Sequence, residues 1–207
     1  MPLGSVVVAD YQTAGRGRLG RSWEAPPGGG LFVTFVVEPS NVVVFAAGVA
    51  AAEACRRGVL LKWPNDLMLD DRKLGGVLAE IRNEHALIGI GINLSWAPEG
   101  AALLGDDRDA LLDRLMPLVT SWTEAEPEAV MQRWRELSWT LGQTVRVELG
   151  GEVIEGVAED VAQDGALLGG GRRVLAGEVA RVRPPGTLSG PPPPAAVLAP
   201  GGGSGPF

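Results

Sequence analysis

Three apolar runs, Leu60 to Trp63, Gly75 to Ile81 and Ala86 to Leu94, follow one another with no helical segment between them. Consecutive strands without intervening crossover helices argue against a strict βαβ order, and with it a doubly wound parallel sheet. A turn carrying Asn83, Glu84 and His85 joins the last two. Two runs precede them. Val6 to Ala9 reads as a short buried strand, and Leu31 to Val37 as a second strand stopped by Pro39 and Ser40. Between the two groups, Val43 to Arg57 is rich in alanine and ends in two arginines, with Gly58 as a stop, which predicts a core helix. Asp109 to Trp122 and Pro127 to Leu137 have helical spacing, and Pro127 suits a helix start. The expected class is α+β, a mixed sheet with packed helices.

The pattern changes after Leu141. Val145, Val147 and Leu149 alternate with polar residues, Gly150-Gly151 marks a turn, and the alternation resumes over Val153 to Val161 and Val174 to Val182. Short strands joined by tight turns predict a small SH3-like barrel. The expected organisation is a larger α+β domain over 1–140, an SH3-like domain over 141–183, and a Pro/Gly-rich tail over 184–207 with too few large apolar groups to fold.

Charge and cysteine content narrow the function classes. Eighteen basic against 25 acidic residues give a net charge of −7, which argues against nucleic-acid or membrane-surface binding through bulk charge. A single cysteine, Cys55, forms no intrachain disulfide. The start lacks the basic and apolar regions of a signal peptide, and the most apolar segment, Val42 to Ala52, is too short to span a bilayer. These features predict a cytoplasmic protein.

Against this acidic background stands a local basic island. Gln12-Thr13-Ala14-Gly15-Arg16-Gly17-Arg18-Leu19-Gly20-Arg21-Ser22-Trp23 places three arginine forks among glycines. Glycine lets backbone approach a ligand, and guanidinium forks match carboxylate and phosphate oxygens. Taken alone, the run also fits a solvated loop or a nucleic-acid contact. The second stretch, Lys62-Trp63-Pro64-Asn65-Asp66 and then Lys73-Leu74-Gly75-Gly76, adds two lysines, an asparagine and a carboxylate. Together they describe an anion site able to hold a nucleoside triphosphate and an incoming amine. His85 and Cys55 read as a turn residue and a core residue. Trp122, Trp134 and Trp139 read as packing groups.

In order and spacing, these stretches resemble the catalytic domain of biotin protein ligases. Tyr11, Gln12, Gly15 to Arg18 and Trp23 match that family's loop, and Lys62 to Asp66, Lys73 to Gly76 and Gly89 to Asn93 match its later motifs. The resemblance implies a biotin/lipoate ligase-like fold ending in an SH3-like domain, with biotin, ATP and Mg²⁺ as small molecules. It also implies a carboxylase's biotin carboxyl carrier domain as partner, with a homodimer allowed. It carries biotin contacts onto Gln12, Arg16, Gly17, Arg18 and Lys73, and ATP contacts onto Gly15, Arg21, Trp23, Lys62, Asn65 and Asn93. Lys73, Arg18 and Asp66 become the catalytic candidates, Asp66 to orient or deprotonate the incoming lysine. Lys62 and Asn65 either serve phosphate or hold the loop. No protein metal ligand is expected. A lipoate or octanoate ligase or transferase, and a non-catalytic biotin- or adenylate-binding module, are the alternatives.

One element of the family's pattern is missing. Its members carry a Ser-Thr-Asn triplet upstream of the Tyr-Gln position, at a helix start preceded by the sheet's first strand. Here Met1 stands eleven residues before Gln12 and no such triplet occurs. A late-assigned start, a degraded enzyme and a piece supplied by another chain are the competing explanations. The intact downstream motifs favour the first. The expectation is an in-frame Ser-Thr-Asn codon triplet shortly upstream of Met1. Sequencing that DNA checks it, and an in-frame stop directly before Met1 overturns it.

Overall fold

The computed structural model describes residues 1–149, 152–175 and 178–181. Its larger part contains β1 (Val6–Ala9), β2 (Gly30–Val37), α1 (Val43–Cys55), β3 (Leu60–Lys62), β4 (Asp66–Leu69), β5 (Arg72–Arg82), β6 (His85–Asn93), α2 (Arg108–Thr123) and α3 (Pro127–Glu136). Six strands form one sheet in the order β1-β2-β6-β5-β4-β3. Every neighbouring pair is antiparallel. Beyond β3 a parallel bridge, Leu61 to Ser138, makes the sheet mixed.

Side-chain alternation divides the sheet into two faces. Leu31, Val33, Phe35, Val77, Ile88, Ile90 and Ile92 point into one buried core with the helices. Within α1, Ala46, Ala47, Ala50, Ala51 and Ala54 are each no more than 1% exposed, and such small side chains let helix and sheet approach closely. The helix is apolar nearly all round because the sheet lies under it while α2 and α3 pack against it. Trp134 of α3 meets Phe45 of α1 edge-to-face, with centroids 5.4 Å apart. Glu53 ties the three helices together, accepting from Trp122 Nε1 at 2.9 Å and pairing with Arg133 Nε at 2.8 Å. The side chain of Asp107 caps α2, accepting from the Asp109 and Ala110 amides.

The second part contains β7 (Thr144–Leu149), β8 (Glu152–Val157), β9 (Asp160–Val161), β10 (Leu167–Gly169), β11 (Arg172–Val174) and β12 (Glu178–Arg181). They form two three-stranded sheets, β12-β7-β8 and β11-β10-β9. The expected small β domain is present, but among the described residues these sheets do not close into an SH3-like barrel. Strands β9, β10 and β11 run only two to three residues each and pair among themselves, with no described ladder joining them to β12-β7-β8. The tail expected over 184–207 lies outside the described residues.

Four local expectations are corrected. The Val6–Ala9 strand is the sheet's edge rather than a buried strand, leaving Val6, Val7 and Val8 exposed. Helix α1 stops at Arg56, whose φ of +54° is left-handed, before Gly58 is reached. The run Asp66–Leu69 forms an additional strand, carried by its pairing with β5. His85 begins β6 and is half-buried, because the turn consists of Asn83 and Glu84, both at positive φ.

Cys55 is 1% exposed, and burial pushes its thiol up to about 12 against the opposing pull of Arg114. The folded protein therefore holds a neutral thiol at pH 8. A thiol-specific reagent should label it stoichiometrically in denaturant and leave it unmodified in the native protein. Because the folded value is raised, unfolding releases a proton above the ordinary thiol range, so stability falls as pH rises from 9 toward 12.

Candidate active site

On the face of the sheet away from the helices, antiparallel register sets residues into rows. Phe32, Gly91 and Gly76 are aligned across β2, β6 and β5, and Thr34, Gly89 and Leu78 form the next row. These rows floor a cavity of about 390 Å³. Glycine leaves it deep. A Cβ at Gly89 would meet nothing closer than 3.7 Å, and one at Gly76 nothing closer than 3.6 Å. Neither glycine is required by the protein's own packing, so the space they leave is available to a ligand. Gly91 differs, since a Cβ there would lie 3.0 Å from the Trp23 indole.

The glycine-arginine loop leaves β1 and folds as a small hairpin over the cavity. Arg16 bridges to Ser22, the Gly17 amide donates to Arg21 O at 2.7 Å, and the Trp23 amide donates to Gly15 O at 2.8 Å. Gly15 is needed for this closure, because a Cβ would sit 2.1 Å from Trp23 O. The tip is a 3₁₀ turn over Arg18–Gly20 with Leu19 at φ +55° and 71% exposed. Trp23 then lays its ring on Gly91, with the Lys73 ammonium 5.6 Å from the centroid. Its Nε1 is buried without a hydrogen-bond partner.

From the opposite side, the turn between β3 and β4 brings in Lys62, Asn65 and Asp66. Asn65 donates through Nδ2 to Val77 O at 2.7 Å and accepts from Arg18 Nη1 at 3.4 Å. Asp66 Oδ1 lies 2.7 Å from Lys73 Nζ. The Lys62 ammonium lies 5.6 Å from the Trp139 ring centroid. At the outer end, Arg16 Nη1 pairs with Glu80 Oε1 at 2.7 Å, and Arg82 reaches Glu80 Oε2 at 3.2 Å. Partial desolvation would raise the Glu80 carboxyl, but hydrogen bonds and charge from Arg82 and Arg16 outweigh it and hold the group below the usual carboxylate range.

Five cationic side chains, Arg16, Arg18, Arg21, Lys62 and Lys73, thus line the cavity against two carboxylates, Asp66 and Glu80. In a chain of net charge −7 this is a focused positive site for an anion.

The biotin/lipoate A/B protein ligase family matches residues 1–93, and the biotin protein ligase C-terminal domain matches residues 140–181. A biotin--[acetyl-CoA-carboxylase] ligase of Mycobacterium tuberculosis is 34% identical, the alignment covering 87% of this chain and 80% of that protein. The chain belongs to the biotin protein ligase family. The bifunctional ligase/repressor BirA of Escherichia coli is 31% identical, and the chain spans 61% of its length. Among solved structures, a biotin protein ligase from Aquifex aeolicus in complex with biotin and ATP superimposes with a TM-score of 0.76. It is 28% identical, and the match covers 89% of this chain and 91% of that one.

Of the residues singled out in this ligase-family sequence, Gln12, Arg16, Gly17, Arg18, Arg21, Trp23, Lys62, Asn65, Asp66 and Lys73 meet around one cavity. Gly15 and Asn93 lie outside its lining. Gly15 closes the hairpin as described. Asn93 is 4% exposed and donates to Ala102 O at 3.2 Å, while the Ala102 amide donates to Lys73 O at 2.9 Å. Asn93 therefore braces the backbone at Lys73 from behind. Gly76 and Gly89 stood in the matched motifs without an assigned role, and Thr34 and Glu80 were not singled out. The Gly-Ile-Gly-Ile alternation is the sequence signal that sends Gly89 to the cavity face, whereas only register brings Thr34 beside it.

Gly89→Ala should hold or raise the melting temperature, since it fits without a clash and removes roughly 0.5–1 kcal/mol of chain-entropy cost. It narrows the cavity by a methyl group, so ligand binding weakens without loss of fold. Gly91→Ala should instead displace Trp23. Thermal denaturation with tryptophan emission distinguishes the two, and a lowered melting temperature for Gly89→Ala would remove the argument for reserved space.

Proposed function

We propose that the chain is an ATP-dependent ligase that activates biotin as biotinyl-5′-AMP and passes it to a lysine of a biotin carboxyl carrier domain. The carrying observation is the Lys73–Asp66 pair, 2.7 Å apart, inside a cavity lined by five cations. A carboxylate attacking the α-phosphate of ATP must overcome repulsion between two anions. Cationic groups fixed in place before reaction offset that repulsion at little reorganisation cost. In the first step a carboxylate oxygen bonds the α-phosphorus and pyrophosphate leaves. In the second, a lysine amine attacks the acyl carbon of the mixed anhydride, AMP leaves, and the amine's proton is lost.

The residues divide by position. Gln12, Arg16, Gly17, Arg18 and Lys73 serve biotin and its carboxylate, with Lys73 stabilising charge that develops between carboxylate and phosphate. Arg21, Trp23, Lys62 and Asn65 serve the nucleotide, Gly15 shapes their loop, and Asn93 acts from behind Lys73. Asp66 holds Lys73 and stands where it can accept a proton from the incoming amine. Among the described residues no group of three or more His, Cys, Asp or Glu is placed to hold a metal. Mg²⁺ usually keeps several waters and takes most of its other ligands from substrate phosphates, and Asp66 is the nearby carboxylate here. When bound, it would neutralise charge on the departing pyrophosphate.

The carrier domain is the proposed protein partner, and a homodimer is compatible with the reading. No described helix is long and apolar enough to cross a membrane, and the cytoplasm is the proposed location because the proposed reaction consumes ATP. Lipoate and octanoate remain the competing acyl substrates.

Biotin-dependent exchange of labelled pyrophosphate into ATP tests the reading. Exchange with biotin but not lipoate or octanoate is expected, and exchange only with the latter acids overturns the substrate. Lys73→Ala should lower exchange by roughly 2–4 kcal/mol of transition-state stabilisation while leaving the fold intact. Unchanged exchange in this variant would remove Lys73 from its assigned role.

A further inference from the structure

Trp63 lies within the turn motif at the cavity, yet its hydrogen bonds run away from the site. Its indole is 1% exposed and donates through Nε1 to Gly165 O at 2.9 Å, a contact spanning 102 residues. Its backbone amide donates to Thr140 Oγ1 at 2.8 Å, and Thr140 is fully buried. Both acceptors lie in the C-terminal segment matched separately from the catalytic region. The joint continues on each side. The Leu61 amide donates to Leu137 O and the Trp139 amide to Leu61 O, each at 2.8 Å. Gly165, at φ +85°, fits against α1 only because it lacks a side chain, since a Cβ would meet Phe45 at 2.6 Å.

Two buried donors are thus satisfied only while the C-terminal part is seated, and a buried donor without an acceptor is strongly disfavoured. The next residues toward the cavity are Pro64, Asn65 and Asp66. Asn65 O accepts from the Val77 amide at 2.9 Å, and Asp66 holds Lys73 at 2.7 Å. We propose that Trp63 is a positioning residue that clamps the C-terminal part onto the turn carrying Asn65 and Asp66, so that seating of this part sets the Asp66–Lys73 geometry. The kinetic consequence rests on the ligase reading; the structural one does not.

Two variants test the clamp. Thr140→Val removes one acceptor without changing shape, and Trp63→Phe removes the indole donor while keeping an aromatic ring. On the protein without substrates, hydrogen exchange should quicken about tenfold or more over residues 63–69 and at Val77, with α2 unchanged. Faster exchange confined to 138–168, or uniform across the chain, overturns the clamp. In pyrophosphate exchange, each variant should lower kcat roughly tenfold with little change in KM for ATP, and should add no further loss on an Asp66→Asn background. Additive losses on that background would also overturn it. A wild-type chain without biotin-dependent exchange would sink the ligase reading, and the hydrogen-exchange result would still decide the clamp.

Discussion

The two-residue period of β2, β6 and β5 is the constraint on which the site depends. It sends Leu31, Val33, Ile88, Ile90 and Ile92 under the helices, and it sends Phe32, Thr34, Gly89 and Gly91 to the other face. Antiparallel register then lines up Gly91 with Gly76 and Gly89 with Thr34 and Leu78. A one-residue slip of β6 would place isoleucines in the cavity and glycines in the core. The burial of those isoleucines opposes any such slip. The same apolar packing that stabilises the domain therefore keeps the binding surface hollow.

Electrostatics acts on this rigid floor from two directions. The hairpin carrying Arg16, Arg18 and Arg21 arrives from the β1 side, and the turn carrying Lys62, Asn65 and Asp66 arrives from the β3 side. Arg18 and Asn65 meet between them at 3.4 Å. Each cation held near a carboxylate keeps a defined position at the cost of part of its attraction for an anionic ligand, as with Lys73 beside Asp66 and Arg16 beside Glu80. Such exposed pairs add little to stability, so their value is in geometry. The network at Glu53 is different, because it joins α1, α2 and α3 and holds the helical layer that supports the sheet.

Much of this protein was legible in its residues. The α+β class followed from three successive strands without intervening helices, and α2 and α3 followed from helical spacing and from Pro127. Ten of the twelve singled-out residues converge on one cavity because loops at strand ends concentrate on one side of a sheet. Other features depend on neighbours far away in the chain. The run Val6–Ala9 reads as a buried strand by composition, and only the strand order makes it an exposed edge. Asp66–Leu69 became a strand through pairing with β5. Asn93 resembles a ligand contact in sequence, but the chain folds Ala102 back onto it and turns its amide into a brace.

The sequence by itself determined the residue types at the site, the class of the fold and the kinship with biotin protein ligases, since local spacing and glycine, arginine and lysine chemistry are properties of short segments. The tertiary structure alone decided which partner each group takes. Asp66 bonds Lys73, Arg16 bonds Glu80, and Trp63 reaches Gly165 across 102 residues. Those pairings come from strand register and from docking of the C-terminal part, and both are set by burial of apolar surface that no short stretch of the chain contains.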